Sequence, residues 1–207
     1  MKILNLFCGI GGNRFHWDES HQVTAIDNNE EILAIYKRMF KKDICKCIDA
    51  HNFLLNYFHD FDFIWSSPPC TTHSKIKLCS AKKGASYPYY VDFTLYQEIL
   101  FLQEFFKGPW VVENVIPHYQ PLIQPYRIGR HLYWSNMHIS RSELPGDESV
   151  PTEQIYSNSV VYGFNLSSFK LLTRKETILR NLVNPDVGEF FLNHAVQYLS
   201  CVNVPHI

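Results

Sequence analysis

Phe61-Asp62-Phe63-Ile64-Trp65-Ser66-Ser67-Pro68-Pro69-Cys70 is an apolar, aromatic-rich run that stops at two serines, two prolines and a cysteine. The run has the character of a buried strand. Two consecutive prolines fix φ and offer no backbone donors, so the chain leaves the sheet rigidly at that point. Open α/β sheets bind ligands outside the carboxyl ends of their strands, and Cys70 falls there. Two readings of the cysteine follow: a nucleophile presented over a ligand crevice, or a buried thiol filling space behind a strand. The stretch alone weighs them equally.

Toward the amino terminus, Lys2 to Phe7 reads as a short buried strand that runs into Cys8-Gly9-Ile10-Gly11-Gly12-Asn13. Glycines 9, 11 and 12 permit a tight turn and let a ligand approach the backbone. The third glycine is not at the distance of the dinucleotide fingerprint. Gln22 to Ile26 is the next strand, ending in Asp27 before the helical stretch Glu30 to Lys41. Asp27 suits ribose hydroxyls, or the N-cap of that helix, a part Asn28 would play equally. Ile44 to Ile48 is a third strand, followed by Asp49-Ala50 and another helical stretch. Strand, turn and helix repeated in this way predict a doubly wound parallel sheet. Gly, Asp and Asp at successive strand ends outline a nucleoside-shaped site.

Toward the carboxyl terminus, Thr71 to Tyr90 carries Lys75, Lys77, Lys82 and Lys83 and no acidic residue. It reads as a long polar connection, either touching an anionic polymer or simply solvated. Asp92 to Lys107 has helical periodicity, and Trp110 to Val115 is again a buried strand. A carboxylate inside such a strand is costly unless it has a task or a partner. Glu113 is that carboxylate, and it shares an edge of the sheet with Cys70.

The 207 residues suit one domain with a modest insertion. A net charge of −1 gives no overall attraction to nucleic acid, so such binding needs a local basic patch. The amino terminus is too short in its apolar part for a secretory signal, and no stretch approaches the ~20 apolar residues of a membrane helix. The six cysteines are therefore expected as reduced thiols in the cytoplasm, or in the nucleus of a eukaryote. Cys45 and Cys47 lack a second pair at zinc-site spacing and read as structural; no metal is expected.

Several of these motifs together resemble a known family. Leu6-Phe7-Cys8-Gly9-Ile10-Gly11-Gly12, Ser66-Ser67-Pro68-Pro69-Cys70 and Glu113-Asn114-Val115 resemble motifs I, IV and VI of the cytosine-5 DNA methyltransferases, in order and spacing. Gly129-Arg130-His131-Leu132-Tyr133-Trp134 resembles motif VIII, and Arg180-Asn181-Leu182-Val183-Asn184-Pro185 resembles motif X. The chain departs from the family at Asn5 before Leu-Phe, at Ser66-Ser67 and Thr71 around Pro-Pro-Cys, at Arg127 in place of a paired arginine, and at Val183 for a glycine. The resemblance covers about residues 1–135 and 173–207. Residues 136–172 would then be a reduced target-recognition segment. It carries Arg141 and Lys170 against Glu143, Asp147, Glu148 and Glu153, with Pro145-Gly146 and Pro151 favouring turns.

What the resemblance implies is a Rossmann-like doubly wound sheet of the class I S-adenosylmethionine-dependent methyltransferases. The activity implied is transfer of a methyl group to carbon 5 of cytosine in DNA, through a covalent Cys70 adduct on a flipped-out base. The Cys70 thiolate would be favoured by an electropositive site. Glu113 would hold the exocyclic amine and N3, and Arg130 would contact O2 or position the thiolate. Phe7 would pack on the adenine, Gly9, Gly11 and Gly12 would line the methionine side, and Asp27 would take the ribose. Asp49 would accept from the adenine amine, Pro68 would border the cofactor, and Asn184 would close over its methionine end. Lys75, Lys77, Lys82 and Lys83 would close on the DNA. A tRNA cytosine-5 methyltransferase and a non-catalytic nucleic-acid-binding relative are the alternatives, and a protein partner or an oligomer could supply recognition. A nicotinamide enzyme leaves Pro-Pro-Cys and Glu-Asn-Val unexplained.

Overall fold

The computed structural model describes residues 1–146 and 160–202. At its centre is a seven-stranded sheet in the order β3-β2-β1-β4-β5-β7-β6. The strands are β1 (Lys2–Leu6), β2 (Gln22–Asp27), β3 (Ile44–Cys47), β4 (Phe63–Ser66), β5 (Trp110–Val115), β6 (Tyr126–Ile128) and β7 (His131–Ser135). The first five are parallel, and β7 is antiparallel between β5 and β6. This is the doubly wound sheet that the strand-turn-helix repeats predict. The strand order reverses between β1 and β4, so the ligand crevice of such a sheet opens at their carboxyl ends.

Side chains alternate across each strand, and the two faces are covered by different helices. Leu4, Leu6, Ile64 and Val112 pack with Phe53 and Leu54 of α2 (Ala50–Tyr57) and with Leu95, Ile99 and Leu102 of α4 (Thr94–Phe105). Ile3, Phe63, Trp65 and Val111 pack on the other face, against Val187, Phe191 and Ala195 of α6 (Pro185–Val202). Leu33 and Tyr36 of α1 (Glu30–Met39) cover Ala25 and Cys8. Among the described residues no helix is long and apolar enough to cross a membrane.

Three local assignments change. Residues 71–90 are not an unstructured connection, because α3 (Lys75–Lys82) forms there, with the Ser74 side chain accepting from the Lys77 amide. An N-capping serine followed by eight residues free of glycine and proline suffices for a short helix. The cap of α1 is Asn29, which accepts from the amides of Glu31 and Ile32; neither Asp27 nor Asn28 does so. Asp49 caps α2, accepting from the Asn52 amide.

In the segment 136–172, Met137 and Ile139 join the main core beside Tyr133. A hairpin of β8 (Val160–Val161) and β9 (Phe164–Asn165) places Phe164 and Leu166 against Ile10, Ile35 and Ile178, the last from α5 (Lys175–Arg180). Asp147, Glu148, Pro151 and Glu153 lie outside the described residues.

A buried polar network fixes the turn that follows β1. Asn5 and Asn13 exchange two amide hydrogen bonds, at 3.4 and 3.0 Å. Arg14, also buried, forks onto Asp43 with Nε–Oδ2 and Nη2–Oδ1 distances of 2.9 and 3.2 Å. The Tyr36 hydroxyl donates to the same carboxylate at 2.8 Å, and burial holds that phenol well above its ordinary pKa. Gly188 of α6 is pressed so close that a Cβ there would stand 2.1 Å from the Asn13 carbonyl oxygen. Removing one partner of a buried ion pair strands the other, at a cost of about 3–5 kcal/mol. Arg14→Ala should therefore lower the Tm by about 10 °C, with Arg14→Lys falling between it and wild type. Equal thermal unfolding curves for Arg14→Ala and wild type would show that the pair holds nothing.

Candidate active site

At the end of β4 the polypeptide is held by bonds to both neighbouring strands. The Ser67 amide donates to the Leu6 carbonyl at 3.2 Å, and Trp65 Nε1 donates to Ser67 Oγ at 2.9 Å. Ser66 pairs in register with Val112, so Glu113 follows beside Ser67 and Asn114 beside Pro68. Buried Asn114 donates from Nδ2 to the Pro68 carbonyl at 2.9 Å. Its own oxygen takes the Val115 amide. Beyond the prolines, the Cys70 carbonyl accepts from the amides of His73 and Ser74, both at 3.1 Å, and the chain turns into α3. Cys70 is thus half-buried on a stalk tied to β1 and β5.

Glu113 is only 7% exposed, and burial pushes its carboxyl up to about 7. A hydrogen bond from Ser67 and the nearby charge of Arg130 offset part of that rise. His131 Nε2 lies 3.8 Å from Glu113 Oε1. Cys70 feels both charged groups. Burial raises its thiol above the ordinary value and Glu113 raises it further, while a backbone hydrogen bond and Arg130 pull it down. The surroundings of the thiol are therefore not the electropositive ones expected, because desolvation and the adjacent carboxylate outweigh one arginine. Arg130 donates from Nη2 to the Arg180 carbonyl at 2.7 Å, linking β7's entry to the end of α5. Arg127 turns back onto the Gly129 carbonyl and is exposed, so it does not join Arg130 as a pair.

The ends of β1 and β2 form the second half of the crevice. Phe7 adopts φ 50° and sets its ring at 5.1 Å from that of His51, edge to face. Gly9, at φ 53°, donates its amide to Asp27 Oδ2 at 3.1 Å, and the Asn29 amide donates to Asp27 Oδ1 at 3.0 Å. Burial raises the Asp27 carboxyl despite these bonds. Nothing lies within 4 Å of the place a Gly9 Cβ would occupy, so this corner is open. A carboxylate has about four acceptor sites, and the amides of Asn29, Gly9 and Asn28 occupy three of those on Asp27. One acceptor site remains, enough for a single ribose hydroxyl.

The other glycines face protein: a Cβ would meet the Phe40 ring at 2.3 Å from Gly11 and the Val183 carbonyl at 2.4 Å from Gly12. Val183 fills the place of the family's glycine without strain, since Phe7 and Tyr162 are the non-glycine residues with positive φ among those described. Asn184 accepts the Asp186 amide at 3.0 Å and starts α6, one residue beyond the Gly12 contact. Pro68 is buried, and Asp49 is exposed with its carboxylate on the Asn52 amide. The four lysines do not share one face: Lys75, Lys82 and Lys83 are exposed, whereas Lys77 Nζ lies 5.6 Å over the Tyr89 ring.

The motifs thus bring Cys70, Glu113 and Arg130 within electrostatic reach of one another, with Phe7, Gly9 and Asp27 on the adjoining strand ends. The supporting amides Asn5, Asn13 and Asn114 carried no role in the sequence reading. Each is a buried asparagine, a residue that needs a partner in a sheet interior, and that requirement was the available signal.

Comparison with known proteins follows the same residues. The model of the family described as C-5 cytosine-specific DNA methylase matches residues 1–115. Among solved structures, Spodoptera frugiperda DNMT2 is 24% identical over 55% of this chain and 35% of its own, with a TM-score of 0.41. The chain thus spans about a third of that protein's length. The Entamoeba histolytica methyltransferase EhMeth is 12% identical, with 96% of this chain and 98% of its own aligned at a TM-score of 0.51. That likeness shows the fold alone, a mostly parallel seven-stranded α/β sheet. No curated protein matches the chain. Because the family model spans more than half of the chain, from the strand that opens the sheet to the last residue of Glu113-Asn114-Val115, the chain belongs to the C-5 cytosine-specific DNA methylase family.

Proposed function

We propose that the chain transfers a methyl group from S-adenosylmethionine to carbon 5 of cytosine in DNA, with Cys70 as nucleophile. The observation that carries this reading is the pairing of Cys70 with a buried Glu113 across β4 and β5, locked by the Asn114–Pro68 hydrogen bond. S-adenosylmethionine supplies an electrophilic methyl group. Phe7, Gly9 and Asp27 would hold its adenosine, with Gly11, Gly12 and Pro68 shaping the backbone beneath. Asn184 stands at the methionine end and Asp49 at the adenine amine.

Carbon 5 of cytosine is a poor nucleophile until something adds at C6. Cys70 gives its proton to solvent, Sγ bonds C6, and the ring electrons move toward N3, which takes the proton of the Glu113 carboxyl. A carboxyl held near neutrality suits that task, and in its neutral form it no longer opposes the thiolate. Once C5 carries the methyl group, N3 returns its proton to the Glu113 carboxylate, water takes the C5 proton, and the Sγ–C6 bond breaks to release the Cys70 thiolate. Arg130 positions the thiolate or meets O2. The target base must leave its stack to reach Cys70. The body of residues 1–135 and 173–207 would do this chemistry, residues 136–172 would read a short context at most, and Lys75, Lys77, Lys82 and Lys83 would hold phosphates. Glu113 supports activity over a non-catalytic role, since its burial is costly without a task. A tRNA cytosine is the alternative substrate.

Incubation with labelled S-adenosylmethionine and duplex DNA, single-stranded DNA or tRNA tests the proposal. Wild type should methylate cytosine, and Cys70→Ala should lose methyl transfer while still binding the cofactor. Only wild type should trap a covalent complex on 5-fluorocytosine; turnover by Cys70→Ala would remove Cys70 as nucleophile. Asp27→Ala should weaken cofactor binding by roughly 1.5–3 kcal/mol, whereas unchanged calorimetric affinity would move the ribose site elsewhere.

Glu113 also makes stability depend on pH. Its folded pKa of about 7 lies above the ordinary glutamate value, so the stability of the neutral form is fully present below about pH 4. It is lost as the pH rises through 7. Glu113→Gln, neutral throughout, should match wild type in Tm near pH 4 and exceed it by a margin that grows to a plateau above pH 7. A difference that does not vary with pH would mean that Glu113 is not held neutral.

A further inference from the structure

Between Thr72 and Asp92 the chain makes an excursion whose two ends are joined, since the Asp92 amide donates to Thr72 Oγ1 at 3.0 Å. The neck lies two residues from Cys70. Along the outward limb runs α3; Gly84, at φ 73°, turns the chain; and the return limb is Ser86-Tyr87-Pro88-Tyr89-Tyr90. The three tyrosines are not equivalent. Tyr89 faces inward, under Lys77 Nζ at 5.6 Å and against the His118 ring at 6.4 Å, and so fastens the limb to the body. Its neighbours point away, Tyr87 91% exposed and Tyr90 98% exposed.

Two large aromatic rings held in water, on an excursion that leaves the body two residues after Cys70, have no packing role. Their electrostatic surroundings select the partner. Thr71 to Val91 contains four lysines and no acidic residue, and Lys75, Lys82 and Lys83 are exposed. Basic side chains interleaved with exposed aromatic rings fit an unpaired nucleic-acid strand, whose phosphates meet the ammonium groups while its bases stack on the rings. A duplex keeps its bases stacked on one another and offers no faces to Tyr87 or Tyr90.

We propose that Tyr87 and Tyr90 form a stacking platform for unpaired bases next to the target cytosine, so that the chain takes a single-stranded or locally opened nucleic acid. This rests on the function proposed above and names the form of its substrate.

Fluorescence anisotropy with labelled oligo-thymidine, oligo-uridine and a blunt DNA duplex tests it. The first two separate a DNA strand from an RNA strand as the source. Wild type should bind at least one strand more tightly than the duplex. The Tyr87→Ala/Tyr90→Ala double variant should lose about tenfold or more on the strand and nothing on the duplex. Tyr87→Phe/Tyr90→Phe, which keeps both rings, should restore strand binding. Replacing Lys75, Lys82 and Lys83 by glutamine should reduce the salt slope on the strand by about two. Unchanged strand binding by the alanine variant, or equal losses on strand and duplex, would overturn the inference. Neither labelled strand contains cytosine, so binding is read without methyl transfer. Loss of the platform prediction with methylation intact overturns this inference alone, and the converse overturns only the function above.

Discussion

The hydrogen bond from Asn114 to the Pro68 carbonyl is the constraint on which the reactive corner depends. Two prolines in a row deprive the end of β4 of amide donors, so the strand cannot continue its ladder into β5. A carbonyl left buried there would need a donor from elsewhere. The side chain of Asn114 supplies it, and does so from the residue after Glu113. One bond therefore sets the distance between the strand that carries the carboxylate and the turn that carries the thiol. Ser67 ties the third side, through its amide to Leu6 and through its hydroxyl to Glu113.

The other half of the crevice is stabilised differently. The turn after β1 is rich in glycine and has few apolar side chains to bury, so polar groups hold it: Asn5 with Asn13, and Arg14 with Asp43 and Tyr36. Helix α6 and the residues leading into it close on this turn through two backbone contacts, Gly12 on Val183 and Gly188 on Asn13. The carboxyl-terminal helix is thus part of the turn's support, which explains how a segment far away in sequence shapes the opening at Gly9. A turn held by buried hydrogen bonds is rigid, and rigidity there keeps Asp27 aimed by its bond to the Gly9 amide.

Burial gives the site its electrostatic character. Glu113 and Cys70 are both desolvated, and Glu113 raises the cost of ionising Cys70, while Arg130 opposes the rise for both. The exposed arm that begins two residues beyond Cys70 has the opposite character, basic and aromatic in water.

By itself the sequence determined the sheet, through apolar runs of strand length that alternate with helical periodicity and end in Gly, Asp, Pro-Pro-Cys and Glu-Asn. It also singled out Cys70 and Glu113, because a thiol after two prolines and a carboxylate in an apolar strand are both locally improbable. Only the tertiary structure decided which polar residues are partners. Asn5 with Asn13, Arg14 with Asp43, and Asn114 with Pro68 are pairs made by strand register and helix placement. No local pattern in the chain encodes them. The same holds for the division among the tyrosines. Tyr89 is covered because His118, from beyond β5, comes to lie beside it. Tyr87 and Tyr90 remain in water because none of the described residues covers them. Propensity and periodicity act over a few residues, whereas burial is a property of the assembled chain.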